Sequence, residues 1–190
     1  MAKIVVSQFV TLDGVMEDPG GSEGWDHGGW AFRFDRGPEG DRFKLDEIMG
    51  SDALLLGRTT YEGFAEAWPS RTGEFADKFN GMRKYVVSSS MDTADWSNSV
   101  VVKPDGLVDT VTKLRQEPGG DVLVNGSAQV IEVLRANDLV DEYRLMVFPT
   151  VLGAGKRMFA GGADASALRL MDAKPAGETL ILVYEPKDRL

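Results

Sequence analysis

The chain alternates short apolar runs with longer amphipathic stretches. Apolar runs rich in branched side chains predict strands at residues 3–10, 53–57, 84–89, 100–103, 121–125 and 141–151. Apolar positions at helical spacing, together with start and stop residues, predict helices at 41–50, 58–67, 73–82, 105–116 and 127–137. The tail, residues 167–186, predicts two further strands joined by a Lys-Pro-Ala-Gly turn at 174–177.

This order of elements indicates the class of fold. Strands that alternate with helices are typical of an α/β protein with a mostly parallel sheet, and a terminal hairpin adds antiparallel strands. The 190 residues contain neither an internal repeat nor a linker between two blocks, so we expect one domain over 1–190.

One long segment breaks the alternation. Residues 14–40 include eight glycines among 27 positions and carry Trp25, Trp30 and two phenylalanines. A segment of this length without periodicity is usually a functional loop or a disordered insert. Disordered segments are poor in aromatic residues, so we expect an ordered loop at a binding site.

Composition narrows the possible functions. The chain is 43% hydrophobic and 27% charged, as in ordinary globular proteins, and its net charge of −9 argues against a nucleic-acid partner. Without cysteine, and with His27 as the only histidine, we expect no disulfide and no metal site. No signal peptide and no membrane-spanning run is evident, so the expected location is the cytoplasm.

Small polar residues follow three predicted strands. They are Gly57-Arg58-Thr59-Thr60, Ser88-Ser89-Ser90 and Asn125-Gly126-Ser127. In an open α/β sheet, ligands bind at the carboxyl ends of the strands, where helix N-termini attract anions. Each junction taken alone is also an ordinary helix cap. Three at one edge favour a ligand with several phosphates, such as a dinucleotide.

The same stretches carry a resemblance to a known family. LLLGRTTYEGF, KYVVSSS and DVLVNGSAQVIEVL resemble, in order and spacing, the dihydrofolate-reductase-like fold. SQFVTLDGVM and LVDEYRLMVFPTVLGAGKRMF more specifically resemble the reductase domain of the bifunctional riboflavin-biosynthesis deaminase–reductase and its stand-alone relatives. The resemblance implies a three-layer fold with helices on both faces of the sheet.

NADPH is the cofactor that the resemblance implies. Phosphates would lie against Gly57, Arg58, Thr59 and Thr60, and the 2′-phosphate would lie between Ser88 and Ser89. The pyrophosphate would lie on Asn125, Gly126 and Ser127, with Gln129 one turn later. The zinc-dependent deaminase half of the bifunctional enzyme is not expected, because the chain has no cysteine to hold zinc.

The resemblance also implies a substrate cleft beside the first strand and the 14–40 loop. Asp13 matches an acidic residue near the substrate in riboflavin-type reductases, and it is equally well read as a turn residue before Gly14. Trp25 and Trp30 could stack on a planar substrate or anchor the loop, and Phe148 and Pro149 would complete the cleft. Riboflavin-type reductases bind a substrate phosphate, whereas residues 14–42 carry seven acids against three arginines.

We therefore expect an NADPH-dependent reductase that transfers hydride to a C=N or C=O bond of a small, planar, non-phosphorylated substrate. Asp13, or a water that it holds, is the expected proton donor. One alternative is a dihydrofolate or pterin reductase, whose substrate carboxylate would come from Asp41, Asp46 or Glu47. Another is a non-catalytic nucleotide- or drug-binding module. Apolar runs in the last strands, together with the resemblance, predict a homodimer.

Overall fold

The computed structural model describes residues 1–159 and 165–189, which contain eight strands and five α-helices. The strands are β1 (Ile4–Thr11), β2 (Ser51–Gly57), β3 (Arg83–Val87), β4 (Ser99–Val102), β5 (Asp121–Val124), β6 (Glu142–Phe148), β7 (Ser166–Ala176) and β8 (Thr179–Arg189). The helices are α1 (Gly37–Met49), α2 (Arg58–Ala67), α3 (Glu74–Gly81), α4 (Leu107–Gln116) and α5 (Ala128–Ala136). No helix within these two ranges is long and apolar enough to cross a membrane.

All eight strands form one sheet in the order β4-β3-β2-β5-β1-β6-β8-β7. The first six strands in this order are mutually parallel, and β8 is antiparallel to both β6 and β7. The predicted mixed sheet with a C-terminal hairpin is therefore confirmed. Because β1, β2, β3 and β5 run parallel as neighbours, their carboxyl ends lie along one edge of the sheet.

Side chains that alternate along the central strands build two cores. Val5, Leu54 and Leu123 pack against α1, α2 and α3 on one face. Their chain neighbours, such as Ile4 and Leu55, pack with α4 and α5 on the other face. A strand that is buried on both faces reads as a continuous apolar run, as these do. Each such side chain stabilises the fold by about 1.5–3 kcal/mol when it is fully buried.

Several boundaries differ from the sequence predictions, among them the end of β6, which lies at Phe148 instead of residue 151. Helix α1 begins at Gly37 instead of residue 41, because Pro38 occupies the first turn, where a missing N–H costs no hydrogen bond. The turn between β7 and β8 is Gly177-Glu178 instead of 174–177, and Pro175 pairs with Leu180 inside the hairpin. Proline is tolerated there because β7 is an edge strand.

The segment after β1 is tied to the rest of the molecule. Trp30, in a 3₁₀ helix (Trp30–Arg33), is 1% exposed in a third core with Met146, Phe148 and Ile181. The Trp30 and Phe148 ring centroids are 5.3 Å apart in an edge-to-face arrangement. The segment is thus ordered, with Trp30 contributing to a core, whereas Phe32 is 73% exposed.

Candidate active-site cleft

A cleft of about 630 Å³ lies along the sheet edge where β2, β3 and β5 end. The first turns of α2 and α5 form part of its wall, and residues 16–20, 22 and 23 close one end. Apolar side chains, including Phe64, Leu107 and Val130, line its sides. Polar ends with apolar walls are typical of sites that bind a cofactor or a small molecule.

The structure brings the predicted cofactor residues together. All ten line this cleft, namely Gly57, Arg58, Thr59, Thr60, Ser88, Ser89, Asn125, Gly126, Ser127 and Gln129. They come from three separate strand ends, which the parallel sheet places side by side. Their contact with a cofactor stays a prediction, whereas their convergence is a property of the fold.

Two of the strand ends are packed directly against each other. The Gly57 N–H donates to the Gly126 carbonyl oxygen at 3.0 Å. A Cβ at position 57 would lie 2.5 Å from Ser127 Oγ, and a Cβ at position 126 would lie 2.8 Å from Thr60 Oγ1. Gly126 also has φ +107°, which strongly favours glycine. The bare junction is therefore required by packing, and both glycines line the cleft.

The Arg58 guanidinium and the Ser88 hydroxyl, which lie at two of these strand ends, are bonded to residues close by in the chain. Arg58 donates to both Glu62 oxygens at 3.1 Å, and both side chains are about half exposed. Exposed pairs of this kind contribute little to stability, so Arg58 can exchange Glu62 for a ligand anion. Ser88 Oγ accepts hydrogen bonds from the Ser90 and Met91 N–H groups and shapes the turn after β3.

The floor of the cleft contains a residue that the sequence analysis missed. Gln8 is 7% exposed, and its Nε2 donates to the Val124 carbonyl oxygen at 3.0 Å. Asn125 Nδ2 in turn donates to the Ser7 carbonyl oxygen at 3.2 Å, and these two bonds link the middle of β1 to the end of β5. Asn125 Oδ1 is buried and has no hydrogen-bond partner. The sequence feature that could have identified Gln8 as a cleft residue is a single carboxamide side chain within the apolar run of β1.

Asp13 lies outside the residues that line the cleft. Its carboxylate accepts hydrogen bonds from Thr11 Oγ1 at 2.5 Å and from the Leu152 and Gly153 N–H groups at 3.3 and 2.9 Å. These bonds, with that of Thr11 the strongest, lower its pKa to about 2. A carboxyl group with this pKa is ionised at neutral pH, so the geometry favours an anchoring role over proton donation.

This role predicts a pH-dependent effect of Asp13→Asn. In the folded protein the pKa of the Asp13 carboxyl is about 2, below its ordinary value of 3.8. The stabilisation is therefore present above about pH 4 and is lost as the pH falls towards 2. We expect Asp13→Asn to lower the free energy of unfolding by about 1 kcal/mol at pH 7. In urea unfolding, the difference in the free energy of unfolding between Asp13→Asn and the wild type should shrink as the pH is lowered from 7 to 3. A difference that stays constant would contradict the assignment.

The predicted substrate residues also lie away from this cleft. Trp25, Trp30, Phe148 and Pro149 are absent from its lining. Trp30 and Phe148 belong to the third core, and Trp25 packs against Gly155, where a Cβ would lie 2.7 Å from the indole. Pro149 is exposed directly after β6. Contact of these four residues with a substrate stays a prediction that their positions do not support.

Comparisons with known proteins agree with this architecture. A sequence model of the RibD C-terminal domain matches residues 2–182. The chain is 27% identical over 188 residues to the uncharacterized protein YyaP of Bacillus subtilis (strain 168), a match that covers 96% of this chain and 94% of YyaP. It superposes on a putative riboflavin biosynthesis protein from Shewanella sp. PV-4 with a TM-score of 0.77, 20% identity and coverage of 99% and 100% of the two chains.

A second solved structure extends the likeness. Dihydrofolate reductase from Enterococcus faecalis, complexed with NADP(H), superposes with a TM-score of 0.58 and 17% identity. The match covers 98% of this chain and 97% of that enzyme. At these identities the two structures establish a shared fold, and they confirm the dihydrofolate-reductase-like architecture that the sequence predicted.

Proposed function

The chain belongs to the RibD C-terminal domain family, and from this premise we propose that it is an NADPH-dependent reductase. It transfers hydride to a C=N or C=O bond of a small, planar, non-phosphorylated substrate. The observation that carries the proposal is the convergence of three polar strand ends, from β2, β3 and β5, on one cleft. Support for the cofactor also comes from the E. faecalis enzyme of the same fold, which was solved with NADP(H).

The order of the strands suggests how the cofactor lies. Going along the edge, Ser88 and Ser89 follow β3, Gly57 ends β2, Asn125 follows β5, and Gln8 belongs to β1. Neighbouring strands are about 4.8 Å apart, so these positions span about 14 Å. A dinucleotide with its 2′-phosphate at β3 and its pyrophosphate between β2 and β5 directs its nicotinamide half towards β1.

The residues present fit such a group. The acidic side chains that line the cleft, among the residues the structure describes, all belong to residues 17–23, and Glu62, which pairs with Arg58, is not among the lining residues. Arg58 and the first-turn N–H groups of α2 and α5 supply positive potential there. When bound, NADPH supplies the hydride, and the protein orients it and keeps water from the reacting atoms.

Folate reduction is not supported by the three acids of α1. Asp41 pairs with Arg36 at 2.5 Å and Asp46 with Arg42 at 2.8 Å. Glu47 is buried on the inner side of α1, where Ser7 Oγ donates to its carboxylate at 2.8 Å. None of the three lines the cleft. Oxidation of NADPH that depends on added dihydrofolate would contradict this reading, and NADPH binding without turnover of any carbonyl or imine substrate would favour a binding module.

The proposal predicts a preference for NADPH over NADH of at least tenfold in affinity, or about 1.4 kcal/mol. Ser88, Ser89 and Arg58 offer hydroxyl groups and a cation to the 2′-phosphate, and among the described residues no acidic side chain outside 17–23 lines the cleft to pair with a free 2′-hydroxyl. Fluorescence titration with both cofactors measures the preference.

A matched pair of variants locates the source of this preference. Arg58→Gln should reduce it several-fold. Arg71→Gln removes the same charge at a position outside the cleft, where Arg71 lies over the Trp68 ring at 4.5 Å, and it should leave the preference unchanged. Equal affinities of the wild type for NADPH and NADH would contradict the assignment of the 2′-phosphate site.

We also propose a homodimer, with β7 as the edge that the second copy covers. β7 is an 11-residue strand at the margin of the sheet, and Leu170 and Met171 are 53% and 51% exposed. The margin of a sheet leaves backbone N–H and C=O groups that can pair with a strand of another chain, and these two side chains add an apolar contact there. Light scattering at micromolar concentration should give twice the 20.7 kDa chain mass. Leu170→Lys with Met171→Lys should yield monomers, whereas Val151→Lys, an exposed apolar site elsewhere, should not.

A further inference from the structure

One end of the cleft is acidic and contains a single lysine among its described residues. This end, the loop end, is formed by residues 16–20, 22 and 23 together with Lys156. Its carboxylates are those of Glu17, Asp18 and Glu23. This end lies against α2, since a Cβ at Gly63 would be 3.0 Å from Ser22 Oγ. We expect the part of a substrate that extends beyond the cofactor in this cleft to meet it.

Lys156 is already occupied by Glu17. Its Nζ lies 2.5 Å from Glu17 Oε1, and its backbone N–H donates to Glu17 Oε2 at 2.9 Å. The hydrogen bond from Lys156 lowers the pKa of Glu17, and the same bond raises the pKa of Lys156. Both carboxylate oxygens are therefore engaged, and the only lysine at the loop end is neutralised at physiological pH.

The backbone holds Glu17 in this position. Trp30 Nε1 donates to the Glu17 carbonyl oxygen at 2.8 Å, and the Met16 N–H donates to the Lys156 carbonyl oxygen at 2.9 Å. The Trp30 side chain is itself buried in the third core. The Glu17 carboxylate is thus mostly buried and fixed at both chain segments, whereas the Lys156 side chain is 65% exposed and is held through Glu17.

Asp18 leaves an uncompensated negative charge beside this pair. It is 1% exposed, and its carboxylate accepts hydrogen bonds from the Glu23 and Trp25 N–H groups at 3.0 and 3.3 Å. Partial burial, followed by the charge of Asp18, raises the pKa of Glu23. With Lys156 cancelled by Glu17, the loop end carries a net negative charge, which repels a phosphate group and attracts a protonated amine.

We propose that Glu17 determines the substrate class by holding Lys156 out of reach, so that the loop end accepts a neutral or protonated nitrogen group and rejects a phosphorylated one. This inference rests on the proposed reductase function and assigns its substrate specificity to a residue pair. The substrate class it defines is an amine-bearing or uncharged planar heterocycle.

The experiment uses three 4-aminopyrimidines that share one ring and carry an aminomethyl group, a hydroxymethyl group or a phosphorylated hydroxymethyl group. Binding to the full-length protein, saturated with NADP⁺, is measured by ligand-observed NMR. Wild type should bind the first two at least tenfold more tightly than the phosphorylated compound. Glu17→Gln keeps an acceptor for the Lys156 N–H but frees the ammonium group, so it should reduce this preference at least tenfold.

Two controls distinguish an effect of the freed Lys156 ammonium group from a loss of cofactor binding. Glu17→Gln with Lys156→Met should restore the preference, because the freed cation is gone. NADPH titration of every variant should agree within twofold with the wild type, so a failure of the cofactor proposal shows as absent NADPH binding. Tighter binding of the phosphorylated compound to the wild type, or an unchanged preference in Glu17→Gln with NADPH binding intact, would overturn the inference.

Discussion

Replacing Gly126 with valine should abolish NADPH binding and lower the stability of the fold. A Cβ at this position would lie 2.8 Å from Thr60 Oγ1, and φ is +107°, where a β-branched residue is strained. Strain of this kind costs about 1–3 kcal/mol. The branched side chain would also stand where the pyrophosphate is proposed to approach the backbone. We expect at least a hundredfold loss of NADPH affinity, measured by fluorescence titration of the folded variant.

Gly73→Val is the matched control for this variant. Gly73 has φ +103°, it is exposed, and nothing lies within 4 Å of the position its Cβ would take. The control should therefore show the conformational cost in urea unfolding without any change in NADPH affinity. A folded Gly126→Val protein with unchanged NADPH affinity would show that the junction serves packing alone.

The second large effect is expected for Trp30→Ala, and it is an effect on stability. Trp30 is 1% exposed among Met146, Phe148 and Ile181, and substitutions of this size in a core cost about 3–5 kcal/mol. NADPH affinity of the folded fraction should stay within twofold of the wild type, because Trp30 does not line the cleft. Urea unfolding and NADPH titration of the same preparation measure both quantities.

Trp30→Phe separates the contributions of volume and hydrogen bonding. It keeps an aromatic ring against Phe148 but loses the Nε1 bond to the Glu17 carbonyl oxygen and part of the indole volume, so it should cost about 2 kcal/mol, less than Trp30→Ala. If Trp30→Ala instead left stability intact and weakened binding of a planar ligand, the segment would act as a substrate lid.

The cofactor side of the cleft could be predicted from the sequence because its determinants are local. Gly57 and Asn125 each follow an apolar run and precede a helical pattern, so the neighbouring residues alone predict that each lies at the end of a strand. The parallel arrangement then brings such ends to one edge. No long-range contact has to be known for that step.

The substrate side depends on contacts between distant parts of the chain. Asp13 bonds to Leu152 and Gly153, and Trp30 packs on Phe148, more than 100 positions away. A tryptophan in a glycine-rich segment has the same local sequence whether it faces a ligand or a core. The Glu17–Lys156 pair was hidden for the same reason, since neither residue belongs to a periodic pattern.

The close packing of Gly57 on Ser127 constrains how this protein can vary in evolution. Any side chain at position 57 would collide with Ser127 Oγ and Cβ, at 2.5 and 2.8 Å from the added Cβ. Loss of the side chain at position 127 would not clear the space, because the backbone nitrogen of residue 127 would still lie 3.0 Å from the added Cβ. Sequence alignments should therefore show glycine retained at position 57 whatever residue stands at 127, even though 69 residues separate the two positions along the chain.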